Sequence, residues 1–325
     1  MIIVTGAAGF IGYQVAKTLT AQGVKVIGVD ELLFFASRGE HADVSFAQTL
    51  SPETILDASY FEECRSSGTP ITGIIHMGAC SDTTELRVDY LTRVNLNYSQ
   101  SLWNLASQFK IPFVYASSAA TYGEGEQGYQ DDETKFASLK PLNPYGESKR
   151  QFDLWVLEQE KSGNKPPHWS GFKFFNVYGF GERHKGKMAS VVLKGFDQIR
   201  SQGSLKLFKS HRTGIADGEQ MRDFIYVGDV VDVMLFALKK PIERGIFNLG
   251  SGRARSFRDL ALATFEALRI KPLIEFIDTP VELRERYQYF TEATMDKLIH
   301  QGYAKPFTSL EDGVAVTVQA LNKRI

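Results

Sequence analysis

Only two cysteines, Cys64 and Cys80, stand among the 325 residues, which excludes a disulfide framework and any multi-cysteine metal centre. No metal site is expected. No apolar run approaches the roughly 18 to 20 residues of a membrane-spanning helix. Met1 leads straight into "IIVTG" without a charged leader segment, so no secretory signal is read and the expected setting is cytoplasmic. Charge of one sign is lacking too: 37 Lys and Arg face 38 Asp and Glu, a net charge of −1. That balance gives no general pull toward nucleic acid or a membrane surface, so an anionic ligand has to be held by local groups. Internal repeats, low-complexity tracts and disordered linkers are also missing.

What is present is an alternation. Short β-branched runs, "MIIVT", "VKVIGVD", "ITGIIHM" and "IPFVYASS", are separated by amphipathic stretches such as 11–22 and 82–109. Strands alternating with helical patterns predict an α/β fold with a Rossmann-type doubly wound parallel sheet. "FKFFNVYG" and "GIFNLGSG" continue the strand series. The mixed stretches 179–221 and 252–325 read as late insertions forming a smaller mixed α/β lobe at the carboxyl ends of the strands, where ligands of such sheets bind. The division expected is 1–178 for the dinucleotide-binding domain, with 223–250 returning to it, and 179–325 for the substrate lobe.

The first strand runs into "TGAAGFIG". Gly6 permits a tight turn, Gly9 lets the backbone approach a pyrophosphate, and Gly12 lets the following helix pack closely, its N-terminus facing the negative charge. Asp30 ends the second strand, which is the context a dinucleotide reading requires. A carboxylate there suits a free ribose hydroxyl and repels a 2′-phosphate, and Glu31 adds to the repulsion. From Glu31 to Cys64 the one cation besides histidine is Arg38. Any 2′-phosphate has to lean on it and on backbone donors; a solvated loop charge is the plain alternative.

"YASSAATYG" and "NPYGESK" follow. Asn143 suits a helix cap and Pro144 the first turn, which sets Tyr145 and Lys149 on one face at i and i+4. Oxidising an alcohol carbon needs a base for the hydroxyl proton. A phenol of pKa about 10 serves near neutrality only if roughly 4 kcal/mol of preferential stabilisation favours its phenolate. Lys149 and a positive nicotinamide ring would supply it, and Ser117 or Ser118 would bond the same substrate oxygen. Alone, a Tyr and a Lys four apart are common on solvated helices; joined to the glycine loop and the serine-bearing strand end they read as catalytic.

At this point the chain resembles the extended short-chain dehydrogenase/reductases, the family of nucleotide-sugar epimerases and dehydratases. Family dehydratases carry a Thr-Asp-Glu run where this chain has "SSAAT", which favours an epimerase. More narrowly, "HMGACSDTTE", "YASSAATYG", "FFNVYGFGERHKGKMASV", "MRDFIYVGDVVDV", "GIFNLGSGRARSF" and "ERYQYFT" resemble the branch that inverts the side-chain carbon of an ADP-linked heptose for the lipopolysaccharide inner core. The resemblance implies Phe10, Ile11, Asp30 and Glu31 at the adenosine half of the cofactor. It also implies Met77, Gly78, Ala79, Cys80, Ser81 and Asn95 along its length, with Lys149, Val177 and Lys185 near the nicotinamide end. For the nucleotide-sugar substrate it implies Ser117, Asn176, Lys187, Lys194, Phe208, Lys209, Ser210, His211, Arg222 and Tyr287.

Inverting an exocyclic carbon by rotating its carbonyl carries the oxygen away from Tyr145, so a second proton-transfer group is needed. Lys185 takes that part by resemblance; a solvated basic turn made with His184 and Lys187 is the plain reading. Departures from the family are Lys187 where serine is common, Lys194 where histidine is, and the longer "KSHRTGIADGEQMRD". The resemblance implies NADP, whereas the charges around Asp30 keep NAD as the alternative. A homo-oligomer, a pentamer, is implied in the same way. The rival readings are another nucleotide-sugar epimerase, such as a UDP-sugar 4-epimerase, and a non-catalytic NADP-binding regulator.

Overall fold

The computed structural model describes residues 1–41, 43–240, 242–284 and 288–323. Its strands are β1 Ile2–Thr5, β2 Val26–Val29, β3 Gln48–Leu50, β4 Gly73–His76, β5 Phe113–Ser118 and β6 Trp169–Phe174. They continue with β7 Asn176–Tyr178, β8 Leu205–Phe208, β9 Met221–Tyr226, β10 Gly245–Leu249, β11 Ala254–Ser256 and β12 Ile274–Ile277.

Seven of them form one sheet in the order β10-β6-β5-β4-β1-β2-β3, every neighbouring pair parallel. This is the doubly wound Rossmann-type sheet the alternation predicts. Strands β2, β4 and β10 are buried at every position, as a parallel sheet covered on both faces requires. Ile3, Val4, Ile74, Ile75, Phe113, Phe172 and Phe247 make the centre of that core. Trp103 meets Trp155 and Trp169 edge to face at centroid distances of 6.1 and 5.3 Å. The chain order reverses between β1 and β4, so the crevice at their carboxyl ends is where such a sheet places a ligand.

"FKFFNVYG" departs from the single strand expected of it. β6 ends at Phe174, the Phe175 amide donates to the Leu249 carbonyl at 3.1 Å, and Asn176 begins β7 in another sheet, ordered β11-β9-β7. The run is mostly apolar, with Lys173 buried in β6 and Asn176 exposed where β7 begins. Within 223–250, Asp223–Tyr226 pair in that smaller sheet, and the chain rejoins the large one through the helix Val227–Lys239 and β10. β8 and β12 form a separate parallel pair. Tyr178, Val192, Phe196, Leu260 and Val314 share a second core, and Leu205, Leu207 and Phe265 a third. The expected helix over 82–109 is divided into Val88–Leu91, a π-helical stretch Thr92–Asn97, and Tyr98–Gln108. Among the described residues no helix is long and apolar enough to cross a membrane.

Candidate active site

The glycine loop is shaped by two close approaches. Gly6 has φ +65°, and a Cβ there would stand 2.8 Å from the Gly78 amide nitrogen; a Cβ on Gly12 would stand 2.1 Å from the Gly6 carbonyl oxygen. No larger residue fits either position. The helix Phe10–Ala21 starts at N-cap Gly9, which supplies no side-chain partner for the first N–H groups, so its positive end faces the crevice. The loop after β4 is pinned from below. The Gly78 amide donates to Thr5 Oγ1 at 2.9 Å, and Thr5 and Ser99 hydroxyls hold the two His76 ring nitrogens at 2.7 and 2.8 Å. Burial pushes His76 down to about 3, so the imidazole is neutral at ordinary pH.

A cavity of about 740 Å³ runs along the carboxyl ends of the strands. Its walls include Gly6, Gly9, Phe10, Ile11 and Gly12 from the loop, Asp30 and Arg38 beyond β2, and Met77, Gly78, Ala79, Cys80 and Ser81 after β4. Ser117, Ser118, Tyr145, Lys149, Asn176, Val177 and Lys185 complete the sequence-derived set found there. Asn95 stands behind the wall: its Oδ1 accepts from the Cys80 amide at 2.8 Å, while Nδ2 donates to the Cys80 carbonyl and to Ser148 Oγ at 3.0 Å each. It clamps the β4 loop to the Tyr145 helix.

At the far end, Asp30 accepts from the Ala8 and Glu31 amides at 3.0 and 2.9 Å. Burial raises its pKa, with both amides and Arg38 opposing. The Arg38 guanidinium lies 3.9 Å from the Phe34 ring centroid and donates to the Ala8 carbonyl, so it faces the cavity with Asp30. Glu31 is exposed and lies outside the walls.

Asn143 Oδ1 accepts from the Gly146 amide at 2.8 Å, starting the helix Pro144–Ser162 and seating Tyr145 and Lys149. Lys149 Nζ donates to the Ala116 carbonyl at 3.0 Å; burial lowers its pKa to about 8, with Asp153 opposing. From the sequence, Lys149 and a positive nicotinamide ring are together expected to favour the phenolate of Tyr145. Among the protein's own groups, burial raises the Tyr145 pKa and Ser118 opposes that rise in part. The two serine candidates also part company. Ser117 Oγ donates to Asp153 Oδ2 at 2.7 Å, on a carboxylate that pairs with fully buried Lys173 at 2.5 Å and accepts from Tyr115 at 3.1 Å. Ser118 Oγ accepts from the Ala120 amide at 3.1 Å and is the serine that acts on Tyr145.

Lys185 stands on the turn Arg183–Met188. Its Nζ is 3.3 Å from Glu182 Oε2 and 5.2 Å from the Phe10 ring centroid. Among the described residues, the other expected substrate residues are not part of the walls. Lys194 Nζ donates to the Lys187 carbonyl at 2.6 Å; Lys209 pairs with Asp278 at 3.3 Å; the Ser210 amide donates to Asp217 and the His211 amide to Tyr289 Oη. Phe208 ends β8, which pairs with β12 in the two-stranded sheet, and 208–211 are not among the cavity walls. Arg222 lies one layer back, over Phe257 at 5.6 Å and donating to the Met221 and Gln288 carbonyls, while Phe257 and Gln288 are walls. Tyr287 lies outside the described residues. Phe34, Asp82, Thr83 and Gln288 line the cavity without having been singled out as site residues; Asp82 and Thr83 lie in "HMGACSDTTE" and Gln288 in "ERYQYFT", so the motifs held a signal for these three, while no motif marks Phe34. Asp153 carried a signal, since it continues the four-residue step from Tyr145 through Lys149.

The cavity's glycine cradle, open helix N-terminus and three cations, Arg38, Lys149 and Lys185, fit an extended anionic dinucleotide lying across the strand ends. Among the described residues no cluster suited to a metal ion occurs.

Comparison with known proteins agrees with this geometry. The model of the NAD dependent epimerase/dehydratase family matches residues 2–250. A Fusobacterium nucleatum protein named ADP-L-glycero-D-manno-heptose-6-epimerase is 45% identical, the match covering 98% of this chain and 97% of that protein. The solved Helicobacter pylori ADP-L-glycero-D-manno-heptose-6-epimerase superposes with a TM-score of 0.76 at 25% identity, over 99% of this chain and 96% of that one. Thermus thermophilus UDP-glucose 4-epimerase, solved with NAD, gives 0.77 at 25% identity over 100% and 99%. The chain belongs to the NAD dependent epimerase/dehydratase family, within its ADP-L-glycero-D-manno-heptose-6-epimerase branch.

Proposed function

We propose that this chain is an isomerase that interconverts ADP-D-glycero-D-manno-heptose and ADP-L-glycero-D-manno-heptose at the side-chain carbon C6, supplying the lipopolysaccharide inner core. The observation that carries the reading is that two side chains able to move protons, Tyr145 and Lys185, reach one cavity from different elements, the helix Pro144–Ser162 and the turn Arg183–Met188.

A nicotinamide cofactor, when bound, takes a hydride from C6 and returns it to the opposite face. Tyr145 Oη, as phenolate, takes the C6 hydroxyl proton, with Ser118 Oγ bonded to the same oxygen. Burial favours the neutral phenol, so the Lys149 ammonium has to hold the phenolate long enough to act. Once the carbonyl has rotated about its single bond, Lys185 Nζ gives a proton to the oxygen on the far side. Tyr145 has then gained the proton that Lys185 has lost, and exchange with solvent resets both.

In this reading the Gly6, Gly9 and Gly12 cradle, Phe10, Ile11 and the 77–81 loop hold the dinucleotide, with NADP preferred and NAD the alternative. Arg38 meets the 2′-phosphate. Asn176 and Arg222 attend the nucleotide sugar; Lys187, Lys194 and residues 208–211 are assigned to its outer end on the resemblance alone. The division into 1–178 with 223–250 and 179–325, a cytoplasmic setting and a homo-oligomer, taken as a pentamer, belong to the same proposal.

Tyr145→Phe tests it. Turnover is expected to fall by about a hundredfold or more, with cofactor affinity near that of the parent, because the phenol proton is lost and little volume. Near-parent epimerisation would remove the assignment.

A further inference from the structure

Glu182 is buried to 1% exposure directly behind the cavity wall. Its carboxylate accepts from the Ser190 hydroxyl at 2.6 Å, the Ser190 amide at 2.9 Å and the Gly179 amide at 3.2 Å. Lys185 Nζ approaches it at 3.3 Å, the longest of these contacts, and the Lys185 amide donates to the Glu182 carbonyl at 2.9 Å. One residue thus holds Lys185 at both its backbone and its charge. Its carboxylate also joins the end of β7 to Ser190, the N-cap of the helix Val191–Gln202.

A buried charge left without partners is strongly unfavourable, and one already met by several good donors is much less so. Three neutral donors remain on Glu182 when the lysine moves off, so the ammonium can leave its carboxylate without stranding it. The groups facing the Lys185 side are Glu182, the Phe10 ring and, on the helix Val191–Gln202, Lys194, whose charge opposes that of Lys185; His184 and Asp82 share the wall.

From this geometry we propose that Glu182 is the positioning residue for Lys185: a buried carboxylate, satisfied in advance by backbone and hydroxyl donors, on which the ammonium rests and from which it swings toward the substrate oxygen. The proposal rests on the reading of Lys185 as the second proton-transfer group.

Glu182→Gln tests it in the cofactor-loaded protein. The amide keeps the shape but turns one acceptor into a donor facing Lys185 and Ser190. Inversion is expected to fall by about tenfold or more in kcat, with KM for the nucleotide sugar within about twofold of the parent. Rapid mixing with the epimer whose hydroxyl faces Tyr145 should still give the parent amplitude of transient reduced-nicotinamide absorbance, a result that general damage to the site would not spare. If the amide is not tolerated by the fold, Glu182→Asp, which keeps the charge but withdraws it by one methylene, is read the same way: oxidation kept, inversion lowered. Parent-like inversion in either folded variant overturns the proposal, as does loss of oxidation in step with inversion. Lys185→Met in the same assay separates the two ideas. Normal inversion in that variant refutes the role of Lys185 itself; its loss there, with normal inversion in Glu182→Gln, refutes the role of Glu182 alone.

Discussion

The Ser117 hydroxyl donates to Asp153 Oδ2 at 2.7 Å, whereas its neighbour Ser118 accepts from the Ala120 amide at 3.1 Å and lies near enough to the Tyr145 phenol to oppose the rise that burial imposes on it. Successive residues of a strand point to opposite faces, so two serines side by side take unlike duties. Ser118→Ala is expected to lower kcat by about tenfold or more, with little change in melting temperature. Ser117→Ala removes a donor from a buried ion pair and should lower stability by about 1 to 3 kcal/mol, with the smaller effect on kcat. Denaturant unfolding and steady-state kinetics on both variants check this, and the reverse ranking would contradict it.

Lys149 links function to stability through pH. Its pKa is lowered from 10.5 to about 8, so between those values the unfolded chain binds a proton that the folded chain has released. Stability contributed by this group therefore rises with pH across that window, and its unfavourable effect is fully present below about 8. Lys149→Met should abolish turnover. Its melting temperature relative to the parent should be highest near neutral pH and decline as pH approaches 10.5. A difference independent of pH would show that the ammonium is not buried as described.

Much of this was legible in the sequence. Asn143, Pro144 and the four-residue step to Lys149 mark the helix start and its face because capping and periodicity are local. The glycine loop is equally local, since Gly6 and Gly12 answer to contacts within one βα turn and the strand beside it. What sequence could not carry is what depends on distant partners. The run 172–178 gives no sign of crossing between sheets at Phe175, because the crossing is set by pairing with distant Leu249 and β9. The i, i+4 spacing of Tyr145 and Lys149 does not reveal that burial raises the phenol, because burial is a property of the assembled cavity. The stretch 208–211 is assigned to substrate by resemblance, yet it follows a strand paired with distant β12 and is not among the cavity walls.

The proposed preference for NADP turns on Arg38. Its guanidinium shares the cavity end with Asp30, and an arginine there can meet a phosphate with two parallel hydrogen bonds. NADPH is expected to bind more tightly than NADH, by a margin narrowed by Asp30 and Glu31. Arg38→Ala should weaken NADPH by about tenfold more than NADH. Dissociation constants for both cofactors in both proteins settle it: equal weakening would leave Arg38 as a strut between Phe34 and the Ala8 carbonyl, and a parent preference for NADH would make the acidic pair decisive.

The central claim is the inversion of C6 on an ADP-linked heptose. Purified protein supplied with cofactor and ADP-D-glycero-D-manno-heptose should produce the L-glycero epimer, detected by proton NMR, until the two epimers reach equilibrium. UDP-glucose under the same conditions should remain unconverted. An unchanged heptose together with formation of UDP-galactose would contradict the account and assign the chain to the 4-epimerases that share its fold.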